Sequence, residues 1–242
     1  MRVFDDPRSR PYARMTGAFY LTIAAAGAFA IGLVPAQLHV AGDAAATVGN
    51  IMARRGLFNL GIAGDSIVML AEVMTTAMLY FMFKPVSATL SLAAALARAL
   101  MVAVMAAMLL FHAAALALAD PNGALTSFSA AQRIDLAGLM LHVHDAGVWI
   151  WQLFFTLHLA LLGQLVVRSG FYPRLLGHAM SLGAFGYLLD SVYAFAVPDA
   201  ALLGQVRVGL LAIVTVAEIG FALLLLIRGP RGVAASVTAD AD

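Results

Sequence analysis

Apolar residues run through this chain in six long blocks separated by short polar breaks. A hydrocarbon core about 30 Å thick takes about 20 apolar residues of helix to cross, and each block is that long. The first runs from Met15 to Val34 and is expected to end at Pro35. The second covers Leu57 to Phe83, before Lys84-Pro85, and the third lies within Leu90 to Leu118. Asp120-Pro121-Asn122-Gly123 is a turn signal that closes the third. The fourth occupies Ala146 to Val167, the fifth starts at Pro173 and stops before Pro198, and the sixth runs from Val206 to Ile227. The blocks are rich in Ala, Leu and Met and lack sustained alternation, so they predict helices and not the strands of a barrel.

Two flanking stretches are amphipathic. Thr47 to Phe58 carries Arg54 and Arg55 and leads into the second span. Ser129 to Leu141 opens on Ser129-x-x-Gln132, a capping-box pattern, and reads as a surface helix or as a polar extension of the fourth span. The expectation is an all-α polytopic transmembrane bundle of about six spans with one or two interfacial helices. Residues 1–13 and 229–242 form its tails, and residues 14–228 the bundle. The apolar stretch of the first span exceeds a signal-peptide h-region, so that span is expected to be retained.

Composition sharpens the picture. The 242 residues are 63% hydrophobic and only 11% charged, against about 25% in soluble domains. The protein therefore belongs with a lipid bilayer. Cysteine is absent, which excludes disulfides, thiolate metal sites and cysteine nucleophiles. A net charge of +1 gives no basic excess for nucleic acid. Arg2, Arg8, Arg10, Arg14, Lys84, Arg168, Arg174, Arg228 and Arg231 fall on one side of a six-span topology. Arg54, Arg55, Arg133 and Arg207 fall on the other. Nine against four predicts both termini in the cytoplasm. Tyr12, Tyr172, Trp149 and Trp151 fall near predicted interfaces, as an aromatic belt would.

Ionisable residues inside the spans carry the candidate chemistry, because each is costly there unless paired, hydrated or neutral. Glu72 and Arg98 stand 13 residues either side of Pro85, so a helical hairpin places them at one depth. His158 and Glu218 lie ten residues from Arg168 and Arg228, about 15 Å from the same side. These four are expected to share a mid-membrane layer. Asp65, His112 and Asp190, with His144 or Asp145, are expected to form a second polar set further out. Glu72, Arg98, His158, Glu218, Asp65 and Asp190 are therefore the candidates for binding a substrate or protons. The acid, arginine and histidine set points to handling of a small polar solute or protons. In that reading Glu72 and Glu218 exchange protons, Arg98 neutralises or binds an anion, and His158 relays.

Two other classes stay open. His112 and His144, with Asp65 and Asp190, are the candidates for a metal site and an intramembrane hydrolase. His142-x-His144 cannot supply both ligands, since those side chains diverge on a helix. His144 and His158, 14 residues apart on nearly one face, have the spacing of axial haem ligands on a single helix, but a facing helix must supply their partners. The third class is a membrane-structural or partner-binding subunit. Small-residue pairs such as Ala24-x-x-x-Ala28 and Ala179-x-x-x-Gly183 would let helices approach closely.

The stretch Arg168-Ser169-Gly170-Phe171-Tyr172-Pro173-Arg174-Leu175-Leu176-Gly177, followed by Gly186-Tyr187-Leu188-Leu189-Asp190-Ser191, resembles a bacterial integral-membrane family known as domain of unknown function 4386. Phe155-Thr156-Leu157-His158-Leu159, Asp43-Ala44-Ala45, and Leu79-Tyr80 with Lys84-Pro85-Val86-Ser87 fit the same pattern. The resemblance runs from about Arg14 to Ile227. It implies a multi-helix protein of the bacterial inner membrane and carries no substrate or reaction. His158 and Asp190 fall within the matching motifs, which raises them as site candidates.

Overall fold

A computed structural model describes residues 2–123 and 127–230. Residues 231–242 of the expected C-terminal tail lie outside the described residues. The described chain is a bundle of seven helices, and six of them are long and apolar enough to cross a membrane. These spans are α1 (Arg10–Leu38), α3 (Arg55–Phe83), α4 (Ala88–Ala119), α5 (Ala130–Ser169), α6 (Arg174–Ala196) and α7 (Ala201–Ile227). The short helix α2 (Ala44–Ala53) precedes α3.

Local chemistry sets the helix ends. Ser9, Asp43, Ser87 and Ser129 accept backbone N–H bonds at the N-termini of α1, α2, α4 and α5. The expected capping box at Ser129 and Gln132 is present. Gly170 closes α5 with a φ of 68°, a left-handed conformation that glycine adopts without steric cost. Pro173 caps α6.

Of two boundaries that the sequence brings into question, one falls as an expected extension and the other shifts. The polar Ser129–Leu141 stretch is continuous with the fourth span, so α5 is 40 residues long, about 60 Å. Pro35 does not end α1. The turn before it, Ala28–Leu33, widens into a π-helix, and the helix then continues to Leu38. Proline lacks an N–H and its ring crowds the carbonyl four residues earlier; the wider turn relieves that conflict.

The spans close into a ring. Each packs on its neighbours in the order α1, α3, α4, α5, α6, α7, and α7 packs back on α1. The main core fills the ring from its basic end, where Arg10, Lys84, Arg168, Arg174 and Arg228 lie. Tyr12 and Tyr172 are buried in this core, and Tyr12 donates to the Met78 carbonyl at 3.0 Å, so their rings face the bundle interior and not the outer surface. At the far end α2 packs on the end of α4 and the extension of α5 through Val48, Ala115 and Ala137. Val34, Leu38, Ile51 and Phe58 tie the tips of α1, α2 and α3 together. Leu70, Leu110, Leu202 and Val216 are among the large side chains left exposed, as a lipid-facing surface requires.

Glycines bring the later helices close. The backbones of α5 and α6 meet at Gly163 and Gly177, and those of α6 and α7 at Gly183 with Val214 and at Gly186 with Leu211. Of the small-residue pairs read from the sequence, Gly183 sits in such a contact, whereas Ala24 and Ala28 are exposed.

Candidate functional site

Arg98 is the largest fully buried side chain, at 0% exposure, and it sits at the middle of the ring. A guanidinium has only donors, so each needs an acceptor where water is excluded. Its Nε donates to Glu72 on α3, the ion pair that the hairpin arithmetic predicts. Its Nη1 lies 2.9 Å from His158 Nε2 on α5. The Nδ1 atom of His158 lies 2.9 Å from the Ala94 carbonyl, which can only accept. One neutral tautomer satisfies both contacts, with Nδ1–H donating to the carbonyl and Nε2 accepting from the arginine. Glu72 and His158 are 3% and 2% exposed, so this triad has exchanged water for protein partners almost completely.

Glu218 joins the layer through Tyr20, a residue the sequence reading did not single out. The Tyr20 hydroxyl donates to Glu218 Oε1 at 2.7 Å, and its ring lies 4.9 Å from the guanidinium carbon. The Phe155 ring lies on Arg98 at 6.0 Å and stacks with His158. Tyr20 is ten residues from Arg10, as Glu218 is from Arg228, so equal depth was available as a signal. Among the described residues Glu72 is ion-paired, and no Lys or Arg forms a salt bridge with Glu218.

The second polar set divides. Asp65, His112, His144 and Asp145 line one cavity of about 210 Å³ in the far half of the ring. Asp190 does not join them, which corrects the expected grouping. It pairs with Arg207 of α7 and accepts from Gln152 Nε2 at 3.0 Å, while Gln152 also accepts from Ser191. Arg207 lies nine residues beyond Pro198 and Asp190 eight before it, so the arithmetic that pairs Glu72 with Arg98 applies here as well.

Helices α1, α3, α4 and α5 wall the cavity, and Thr47 and Ile51 of α2 contribute from the far end. Met69, Met105 and Trp151 line it towards the Arg98 layer. Ile31, Pro35, His39 and Asp145 belong to the lining and are exposed, so the cavity opens beside them. His112 and His144 stack with centroids 3.4 Å apart and planes 18° from parallel. Their in-plane lone pairs run side by side and do not converge on a shared ion. Among the described residues no three His, Asp or Glu side chains are grouped to hold a metal. His144 Nδ1 contacts the Met108 carbonyl at 3.0 Å, and the buried His112 Nδ1 has no partner among the described residues. Asp65 makes no hydrogen bond or ion pair among the described residues, unlike Glu72, Glu218 and Asp190.

Below the triad, towards the basic end, a second space of about 10 Å³ touches His158, Thr76 and Ala95, room for about one water. The Arg98 layer thus separates a ligand-sized space from a water-sized one.

Comparison with known proteins matches residues 15–229 to the family described as Domain of unknown function (DUF4386). An uncharacterized protein of Archaeoglobus fulgidus is 29% identical over 135 residues, 56% of this chain and 67% of the relative. No solved structure matches the chain.

Proposed function

This chain belongs to the DUF4386 family, whose description assigns no activity, and from its residues we propose that it binds a small solute in the far-end cavity and moves it across the membrane in exchange for a proton. The single observation that carries this reading is the unpartnered Asp65 in a ligand-sized cavity directly above a layer of satisfied charges. A carboxylate left without a partner at bilayer depth is costly unless it serves something that enters. Of the layer's two acids, Glu72 is locked to Arg98. Glu218 is the one that can change protonation without breaking an ion pair, because its partner is a hydroxyl. In this reading the basic end faces the cytoplasm of a bacterial inner membrane, in line with the distribution of Lys and Arg. Solute then enters from the far side. Opening towards the basic end requires the ring to part at the His158 side, where the water-sized space already interrupts the packing.

A chain without cysteine suits a direct test. Val148→Cys reports on the far-end cavity and Ala95→Cys on the water-sized space. In right-side-out vesicles, a membrane-impermeant thiol reagent is expected to label Val148→Cys. In inside-out vesicles it is expected to label Ala95→Cys, at a rate that changes between pH 5.5 and 8 and ceases to change in a Glu218→Gln background. Labelling of Val148→Cys with Ala95→Cys silent from both sides at every pH would reduce the protein to a one-sided receptor or scaffold and end the transport reading.

A further inference from the structure

We propose that the cavity selects a small amphiphilic cation, an organic ammonium group on an apolar body of roughly benzene to bicyclic size. The inference rests on reading the cavity as a solute site and deepens it, replacing the broadly polar solute expected from the sequence. Charge comes first. Among the described residues the lining contains two carboxylates, Asp65 and Asp145, and three imidazoles, His39, His112 and His144, but no Lys or Arg. Arg98 is turned away into its own layer, held by Glu72 and His158. An anionic solute would find no cation here and would meet two acids. An ammonium group would find a carboxylate with no other partner.

Shape and softness supply the rest. Ile31, Val34, Leu38, Phe58 and Ile62 leave most of the wall apolar. Met69, Met105 and Met108 are polarisable and adapt to irregular ligands. Trp151, the aromatic type that attracts a cation most strongly, also belongs to the lining. The volume of about 210 Å³ exceeds the ~150 Å³ that accepts benzene and falls below the 300–1,000 Å³ of drug-sized pockets. A metal cation or a fully polar solute would leave this apolar wall unmatched. An amine with an aryl or branched alkyl body uses both parts of the lining. Asp145, exposed at the opening, draws the cation in, and Asp65 receives it deeper in the cavity.

Two thiol reagents of similar size and opposite charge test this on the full-length, purified Val148→Cys protein. The cationic trimethylammonium-ethyl methanethiosulfonate is expected to react at least tenfold faster than the anionic sulfonatoethyl reagent. Asp65→Asn with Asp145→Asn should bring the ratio close to that of free cysteine, and Asp145→Asn alone, at an exposed position, should lower it part of the way. In the Val148→Cys protein with both aspartates intact, 2-phenylethylammonium should slow labelling, while 3-phenylpropanoate and tetramethylammonium should not. Equal rates for the two reagents, or a ratio that survives both substitutions, would refute the cation preference while leaving the cavity a solute site. Protection by tetramethylammonium as strong as by 2-phenylethylammonium would refute the need for an apolar body. Failure of both reagents to label would remove the solute site itself, and the inference with it.

Discussion

Replacing Arg98 with methionine is expected to cost about 3–5 kcal/mol, the toll of breaking a buried ion pair by removing one member. The methionine fills most of the volume, so the loss is electrostatic. Glu72 is left at 3% exposure with no cation beside it, and His158 Nε2 loses its donor. The cation also leaves the faces of Tyr20 and Phe155. The variant should lose its monodisperse peak in size-exclusion chromatography and melt well below the parent in detergent. Adding Glu72→Leu should restore much of the stability, because an apolar pair of similar volume often replaces a buried ion pair without loss. An unsatisfied His158 should keep the recovery incomplete, by about 1–3 kcal/mol. An Arg98→Met protein that melts like its parent would show that Arg98 contributes little to holding the ring together.

The second large effect is expected where α5 and α6 touch. A Cβ added at Gly177 would stand 2.5 Å from the Gly163 carbonyl oxygen, and that oxygen belongs to the backbone and cannot turn aside. On its other contacts α6 is just as tight, since a Cβ at Gly183 would lie 2.7 Å from the Val214 nitrogen. Relief at one interface therefore pushes α6 into the other. Gly177→Ala should cost about 1–3 kcal/mol, as overpacking does, and Gly177→Val should leave little folded protein. Gly209 on α7 has open space around its position, and Gly209→Val should melt like the parent. Equal melting of the Gly177 and Gly209 variants would mean that the α5–α6 contact is looser than the backbone approach implies.

What the chain reveals before folding, and what it withholds, follows from helix geometry. Depth is the easy coordinate. A rise of 1.5 Å per residue and a proline turn place Glu72 opposite Arg98, and the same counting places His158 and Glu218 with them. Rotation about each axis is harder, because it depends on which faces pack. Counting therefore grouped Asp190 with Asp65 and His112, although Asp190 faces Arg207 across the α6–α7 turn. Tyr20 stayed hidden for a related reason. A tyrosine in an alanine-rich span reads as packing or interface, and only the ring closure of α1 onto α7 gives its hydroxyl a carboxylate to meet. The cavity was out of reach altogether. It depends on α2 lying across the far end and on α1 continuing past Pro35 through a widened turn, neither of which periodicity records.

The contact between the first and last spans has a consequence for how the molecule is made. Glu72 and Arg98 sit on consecutive helices, so the α3–α4 hairpin can leave the translocon already neutralised, before any later segment has been synthesised. Glu218 is different. Its hydroxyl partner was inserted some two hundred residues earlier, and that hydroxyl has to wait for α7 to be made. The arrival of α7 is therefore a checkpoint in biogenesis. A nascent chain halted before Ala201 would be anchored in the bilayer yet lack the stave between α6 and α1, leaving Asp190 without Arg207 and Tyr20 without Glu218, the kind of defect that membrane quality-control proteases are suited to detect.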